Sequence, residues 1–279
     1  MLRPFLRFFV YSNIFIACCA VAMLYQTYQL LLDQQPDLDL LYFVFFATIT
    51  SYSFHWYLTH HSEIPSDRIQ WTNTHRYIHT VLFVIGLLGV SYFFFTLIKH
   101  WHWLLLSAVI TFLYSAPKIP QKHFRALRKI AIGKTIFLAF VWMYATTILP
   151  VLLSGKEFTT GIIYFIIGRF FLIYAICILF DYRDRKDDKA AGIRSIITYL
   201  SEKGIDILFS VSLLIFVVFT VLLFTNNYSV KTIIFLLLPG IITGLLYNYA
   251  KRTLNDLFFY FILDGLMMFS SLLMIIFGI

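Results

Sequence analysis

FDYRDRKDDKAAGIRS, residues 180–195, sets Asp181, Asp184, Asp187 and Asp188 immediately after a long apolar run. A helix continuing out of that run places Asp184 and Asp188, four apart, on one face with Asp181 beside them, because side chains three and four residues apart stack along a helix. Carboxylates so close repel one another unless a cation holds them. Magnesium takes one or two carboxylates and completes its shell with water and phosphate oxygens, so the spacing suits a magnesium diphosphate site at a membrane surface. The plainer alternative is a solvated helix end, in which Arg183, Arg185, Lys186 and Lys189 neutralise the acids.

The apolar run before this stretch is one of nine. They fall near residues 8–31, 40–59, 78–98, 101–117, 133–153, 160–181, 205–225, 231–250 and 257–278. Each has about the length that a hydrocarbon core of roughly 30 Å requires at ~1.5 Å of helical rise per residue. With 60% hydrophobic residues, 31 Phe and only 13% charged residues, the chain holds more apolar surface than one soluble core of 279 residues buries. The runs are continuous rather than alternating, which points to helices and not to a barrel. The expected fold is all-α, a polytopic membrane helical bundle of nine transmembrane helices, with residues 1–279 forming one transmembrane domain. Arg3 and Arg7 ahead of an apolar run imitate a signal peptide, yet the run passes the usual length of about 7–15 residues, so a retained first span is expected. Cys18, Cys19 and Cys177 all lie within spans and read as small apolar fillers with no disulfide framework.

Basic residues orient the bundle. With the N-terminus in the cytosol, only Lys99, Lys156 and Lys231 of the 22 Lys and Arg fall on the far side and Arg169 falls inside a span, which leaves 18 on the cytosolic side. That asymmetry is the positive-inside pattern of a multi-pass protein of the cell's inner (cytoplasmic) membrane. Acidic lipid headgroups or an anionic substrate account for the net charge of +8, and no nucleic acid is needed.

A second polar stretch faces the first across the expected bundle. YSAPKIPQKHFRALRKIAIGK, residues 114–134, breaks its helix at Pro117 and Pro120 and then carries Lys118, Lys122, Arg125, Arg128 and Lys129. Several of these cations can point one way and clasp a diphosphate, since Arg forks and Lys ammonium groups are usual partners of phosphoryl oxygens. The plainer reading is a topology signal docked on acidic lipids.

The segment from Asp184 to Ser195 closely resembles the second aspartate-rich motif of the UbiA superfamily of intramembrane prenyltransferases: an Asp pair four apart, Gly192 four residues on, then Ser195. Tyr114 to Lys118, leading through the basic loop to a span with Trp142, is similar to that family's loop between spans four and five. The nine-span order, with the motif after the sixth span, also matches. The resemblance implies transfer of a prenyl group from a prenyl diphosphate to an aromatic or other lipophilic acceptor within the membrane, with Mg2+ as cofactor. It further implies that Asp184 and Asp188 hold the metal, that Asp181 supports them, and that Lys118 and Lys122, with Arg125 and Tyr114, contact the diphosphate. Ionising the carbon–oxygen bond requires a neutralised leaving group, and aromatic faces tolerate the allylic cation left behind.

One departure stands out. The first aspartate-rich motif belongs after the second span, where this chain reads SYSFHWYLTHHSEIPSDRIQW, residues 51–71, with Glu63 and Asp67 as its only acids. The counterparts of the family's Asn-Asp pair fall near Ser53 to His55. His55, His60 and Glu63 are the candidate substitutes, of which the histidines are softer ligands than magnesium favours. The sequence therefore also admits a catalytically silent relative that binds an isoprenoid lipid. A remoter alternative comes from the eight histidines, whose spacing at His55, His60, His61, His75 and His79 is reminiscent of membrane di-iron hydroxylases and desaturases. Interfacial histidines beside Trp and Tyr are the simpler account.

Two ionisable residues lie within the spans. Arg169 precedes Asp181 by twelve residues and Asp264 follows Arg252 by twelve, so each is expected roughly 18 Å from the same face. A structural pair between Arg169 and Asp264 is expected, because an unpaired charge at that depth is costly. Asn255 and Asp256 are expected to cap the last helix.

Overall fold

The computed structural model describes residues 2–59, 66–115, 134–190 and 195–278, and it is all-helical among them. We number the helices α1 (Leu2–Tyr11), α2 (Ile14–Leu32), α3 (Leu38–Tyr57), α4 (Asp67–Thr74), α5 (Arg76–Thr96), α6 (Trp101–Ser115), α7 (Lys134–Ser154), α8 (Thr160–Ala190), α9 (Ile196–Tyr199), α10 (Glu202–Asn226), α11 (Val230–Ala250) and α12 (Phe258–Phe277). Seven of them, α2, α5, α7, α8, α10, α11 and α12, are long and apolar enough to cross a membrane. The helix α3 stands where a span is expected, but Asp39, Thr48, Thr50, Ser51, Ser53 and His55 dilute its apolar character. Of the expected fourth span, α6 covers 15 described residues.

The first expected span is corrected. It begins at Ile14 and not near residue 8, because Asn13 adopts a left-handed conformation, φ 72°, and breaks the helix there. Asn is one of the few non-glycine residues that tolerate this region. The break makes α1 a separate helix and turns the Asn13 amide into the bundle.

Packing centres on α8. Its residues Leu172 to Leu179 are buried without interruption, whereas α5 fully buries only His79 and Gly86 and packs on the core through half-buried residues such as Val90, Phe93 and Phe94. The close approach of α5 to α3 depends on small residues: a Cβ at Gly86 would meet the Thr50 hydroxyl, and one at Gly89 would meet the Phe46 ring. The turn that joins α7 to α8 closes on Gly155 with φ 69°, a left-handed helix end that glycine adopts without strain.

That turn positions the site. Both α7 and the apolar part of α8 run about 21 residues away from it, or roughly 30 Å at the helical rise. The start of α7 at Lys134 and Thr135 therefore comes level with Asp181 on α8.

Candidate functional site

At the far end of this helical hairpin, Thr135 donates its hydroxyl hydrogen to Asp181 Oδ2. The Lys134 ammonium lies 3.7 Å from Asp181 Oδ1 and 3.3 Å from Asp188 Oδ2. One cation thus bridges two carboxylates seven residues apart on α8, and both are nearly buried, at 9% and 8% side-chain exposure. Asp184 lies between them along the helix, is 37% exposed, and takes 2.7 and 3.2 Å hydrogen bonds from Arg183 Nε and Nη2. The aspartates of the acidic stretch therefore differ in role. Asp181 and Asp188 are turned inward to Lys134 and Thr135, and Asp184 is the more exposed and meets Arg183.

Tyr114, the last described aromatic before the basic loop, stacks on His55 with ring centroids 5.5 Å apart and planes at 12°. It lies within electrostatic reach of Lys134, Asp181 and Asp188. Lys118, Lys122 and Arg125 lie outside the described residues, as do His60, His61, Glu63 and His123. Below the acids, Trp142 Nε1 donates to the Tyr52 hydroxyl at 3.1 Å, which ties α7 to α3.

Among the described residues, no group of three or more His, Cys, Asp or Glu forms a self-sufficient metal cage. A hard cation that completes its shell with water and phosphate oxygens needs only one or two carboxylates. Three of the five described histidines are engaged separately: His75 stacks on Trp71, His79 meets the Asn13 amide, and His55 stacks on Tyr114.

On the other side of Asp184 the sequence offered Arg183 only as a neutralising cation and Asp256 only as a helix cap, and it did not single out Tyr260 or Ser66. Arg183 Nη2 donates to the Tyr260 hydroxyl at 2.7 Å, and its Nη1 lies 3.5 Å from Asp256 Oδ1. Asp256 Oδ2 accepts from Ser66 Oγ and from the Arg68 backbone amide, both at 2.9 Å. Asp256 is therefore a tertiary anchor for α4, and capping falls to Asn255, whose Oδ1 accepts from the Phe258 amide at 3.3 Å. The signal for this cluster was present but weak, a lone Asn13 in an apolar run and a lone Arg68 after an acid-poor loop.

The expected pair of Arg169 and Asp264 does not form. Arg169 Nη1 donates to the Met23 and Thr146 carbonyls and to the Thr27 and Thr147 hydroxyls at 2.8–3.0 Å, and Nη2 donates to Gln26 Oε1 at 2.7 Å. Its guanidinium also covers the Phe165 ring at 4.5 Å. Asp264 instead lies within electrostatic reach of Arg68 and Arg183. Neutral acceptors satisfy Arg169 because Thr146 and Thr147 sit in a π-helical turn, Tyr144–Ile148, where the widened backbone leaves a carbonyl free to accept.

Residues 57–272 match the UbiA prenyltransferase family. The chain belongs to that family. No curated protein and no solved structure matches it. The matched segment of this UbiA family member contains the Lys134 pole, the acidic end of α8, Arg68 and Tyr260. Family membership brings prenyl transfer and magnesium as general properties of the group, and it gives the scattered histidines of a di-iron reading no support.

Proposed function

We propose that this protein transfers a prenyl group from a prenyl diphosphate to an aromatic or other lipophilic acceptor inside the bilayer. On this reading it spans the inner membrane nine times, with α3 and α6 completing the set and the N-terminus and the acidic end of α8 on the cytosolic side. The observation that supports it most is the Lys134 ammonium set between Asp181 and Asp188 at the level of Asp184. That arrangement combines acids for a divalent cation with a cation for phosphoryl oxygens at one mouth.

Asp184 and Asp188 would hold magnesium, which when bound supplies the charge that neutralises the departing diphosphate. The remaining work belongs to the chain. The Thr135 hydroxyl fixes one oxygen of Asp181 and leaves the other towards Lys134, so the ammonium is held in the mouth before substrate arrives. A phosphoryl oxygen there gives Lys134 a partner as the carbon–oxygen bond breaks. Lys118, Lys122 and Arg125 add cations from the neighbouring loop. Rings at Tyr52, Trp142 and Tyr114 offer faces to the allylic cation on the membrane side.

The test is to incubate purified protein with magnesium and radiolabelled prenyl diphosphates of several lengths, with and without a membrane lipid extract. Diphosphate release that disappears in Asp184→Ala and Asp188→Ala and on chelation supports the reading. Binding without turnover in the unaltered protein would replace it with a silent isoprenoid-binding relative.

A further inference from the structure

The mouth has a second wall, continuous with Asp184 through direct contacts. From Asp184 the path runs to Arg183 at 2.7 Å, from Arg183 to the Tyr260 hydroxyl at 2.7 Å, and from the Tyr260 ring to Arg68, whose guanidinium carbon lies 4.0 Å from the ring centroid. The Trp56 ring, which meets the Tyr260 ring edge-on, lies 4.1 Å from the same guanidinium carbon. Its Nη2 donates to Asn13 Oδ1 at 2.6 Å, and the Asn13 amide nitrogen in turn reaches Ser53 Oγ at 3.4 Å. Arg68 is only 2% exposed.

Ser53 and Trp56 are three apart on the buried face of α3, the spacing at which a helix presents two ligands to one ion. What they present is a hydroxyl already hydrogen-bonded to an amide and an indole ring, neither of which suits a hard divalent cation. Among the described residues at this end of α3, Ser53 and Trp56 do not fit a metal. They fit a guanidinium, which stacks on aromatic faces and keeps its charge when buried.

Arg68 Nε has no hydrogen-bond partner, and the nearby Asp256 accepts from the Arg68 backbone amide and not from its guanidinium. Burial pulls the pKa of Arg68 below the ordinary arginine value, opposed by Tyr260, Asp264 and Asp256. It nevertheless stays charged, because arginine starts so far above neutral pH.

Building on the prenyl-diphosphate reading, we propose that this protein binds its substrate with a single divalent cation, at Asp184 and Asp188, and that Arg68 serves as a built-in cation on the opposite wall. Arg68 acts as a positioning residue through its field. A fixed charge in a low-dielectric wall stabilises the diphosphate without having to be recruited at each turnover.

The experiment counts ions. Detergent-purified full-length protein is titrated with Mn2+ in the presence of geranylgeranyl thiolodiphosphate, a prenyl diphosphate analogue that does not ionise readily, and bound Mn2+ is measured by electron paramagnetic resonance. One Mn2+ per chain is expected. Two would overturn this inference and leave the prenyl-diphosphate reading intact, whereas no bound ion, or no binding of the analogue, would overturn both. In parallel, Arg68→Gln is expected to weaken analogue binding on the order of tenfold with the ion count still one, and Arg68→Lys to recover part of the loss. A folded Arg68→Gln protein with unchanged affinity would remove Arg68 from the role. If that variant does not fold, the ion count and the Arg68→Lys affinity decide the matter.

Discussion

The helix α8 carries two buried charged stations twelve residues apart, and they are built by opposite rules. At Arg169 one guanidinium is surrounded by neutral acceptors, two backbone carbonyls, two threonine hydroxyls and the Gln26 amide, with an aromatic ring on its face. Gln26 passes the network on, donating to Ser270 Oγ at 3.0 Å, so α2, α7, α8 and α12 are joined around one side chain. At Asp181 to Asp188, three carboxylates share Lys134, Thr135 and Arg183, and Asp184 remains more than a third exposed. The first station is closed, since its acceptors are used and nothing about it invites a ligand. The second gathers acids and cations at the end of the helix, with Asp184 37% exposed, so it is reachable where the first is not. Burial and charge alone do not mark a functional site.

The sharpest way to break this contrast is to remove an acid from the open station. Asp188→Ala should reduce diphosphate release on the order of 1,000-fold, measured with labelled prenyl diphosphate at saturating magnesium, while thermal unfolding in detergent changes little. A variant that kept full turnover would reduce the acidic end of α8 to a solvated helix terminus. Arg169→Met should show the reverse pattern. It strands the Gln26, Thr146 and Thr147 acceptors, and a loss on the order of 3 kcal/mol in unfolding free energy is expected, with the affinity of the folded fraction for a prenyl diphosphate analogue unchanged. Should affinity collapse while stability holds, the closed station would have to be reclassified as part of the cavity.

The two stations were not equally legible in the sequence. The all-helical membrane class follows from the apolar runs, and the acidic end of α8 follows from the order of the aspartates, but the spacing did not show that Asp188 turns with Asp181 to Lys134 while Asp184 meets Arg183. The pairing of the two intramembrane charges was not readable. Arg169 meets α2 and α7 at the level of Gln26, which bonds Ser270, whereas Asp264, earlier on α12, lies towards Cys19, Cys177, Arg68 and Arg183, so counting residues from the helix ends did not bring the two together. Lys134 was visible as the last cation of a basic stretch, but its special place depends on the matched lengths of α7 and α8 around Gly155. The wall formed by Asn13, Arg68 and Tyr260 was hidden for a further reason. It requires a left-handed residue that breaks the first apolar run, and periodicity alone does not announce such a break.

A milder substitution sharpens the contrast within the open station. Lys134→Met leaves Asp181 and Asp188 without their shared cation, and it should raise KM for the prenyl diphosphate about tenfold at fixed magnesium. Lys134→Arg should recover most of this, since a guanidinium also reaches both carboxylates. An effect confined to kcat would mean that Lys134 acts on the breaking bond and not on substrate capture.

The smallest effect belongs to a third set of charges that resembles the second only on paper. Glu202, 57% exposed, accepts from Arg185 at 2.7 Å and from the Tyr182 hydroxyl at 3.0 Å, and it lies 3.1 Å from the Lys251 ammonium. Lys251 also reaches Asp206 at 2.8 Å, so removing Glu202 leaves neither cation buried without a partner: Arg185 still donates to the Leu200 carbonyl at 2.6 Å. Water and salt screen pairs this exposed, and Glu202→Gln should cost under about 0.5 kcal/mol, less still at high ionic strength, with turnover unchanged. A loss of several-fold in turnover from this one substitution would instead mean that the network fixes the end of α8 and the orientation of Asp184. In that case the surface charges and the mouth would form one coupled unit, not two neighbouring ones.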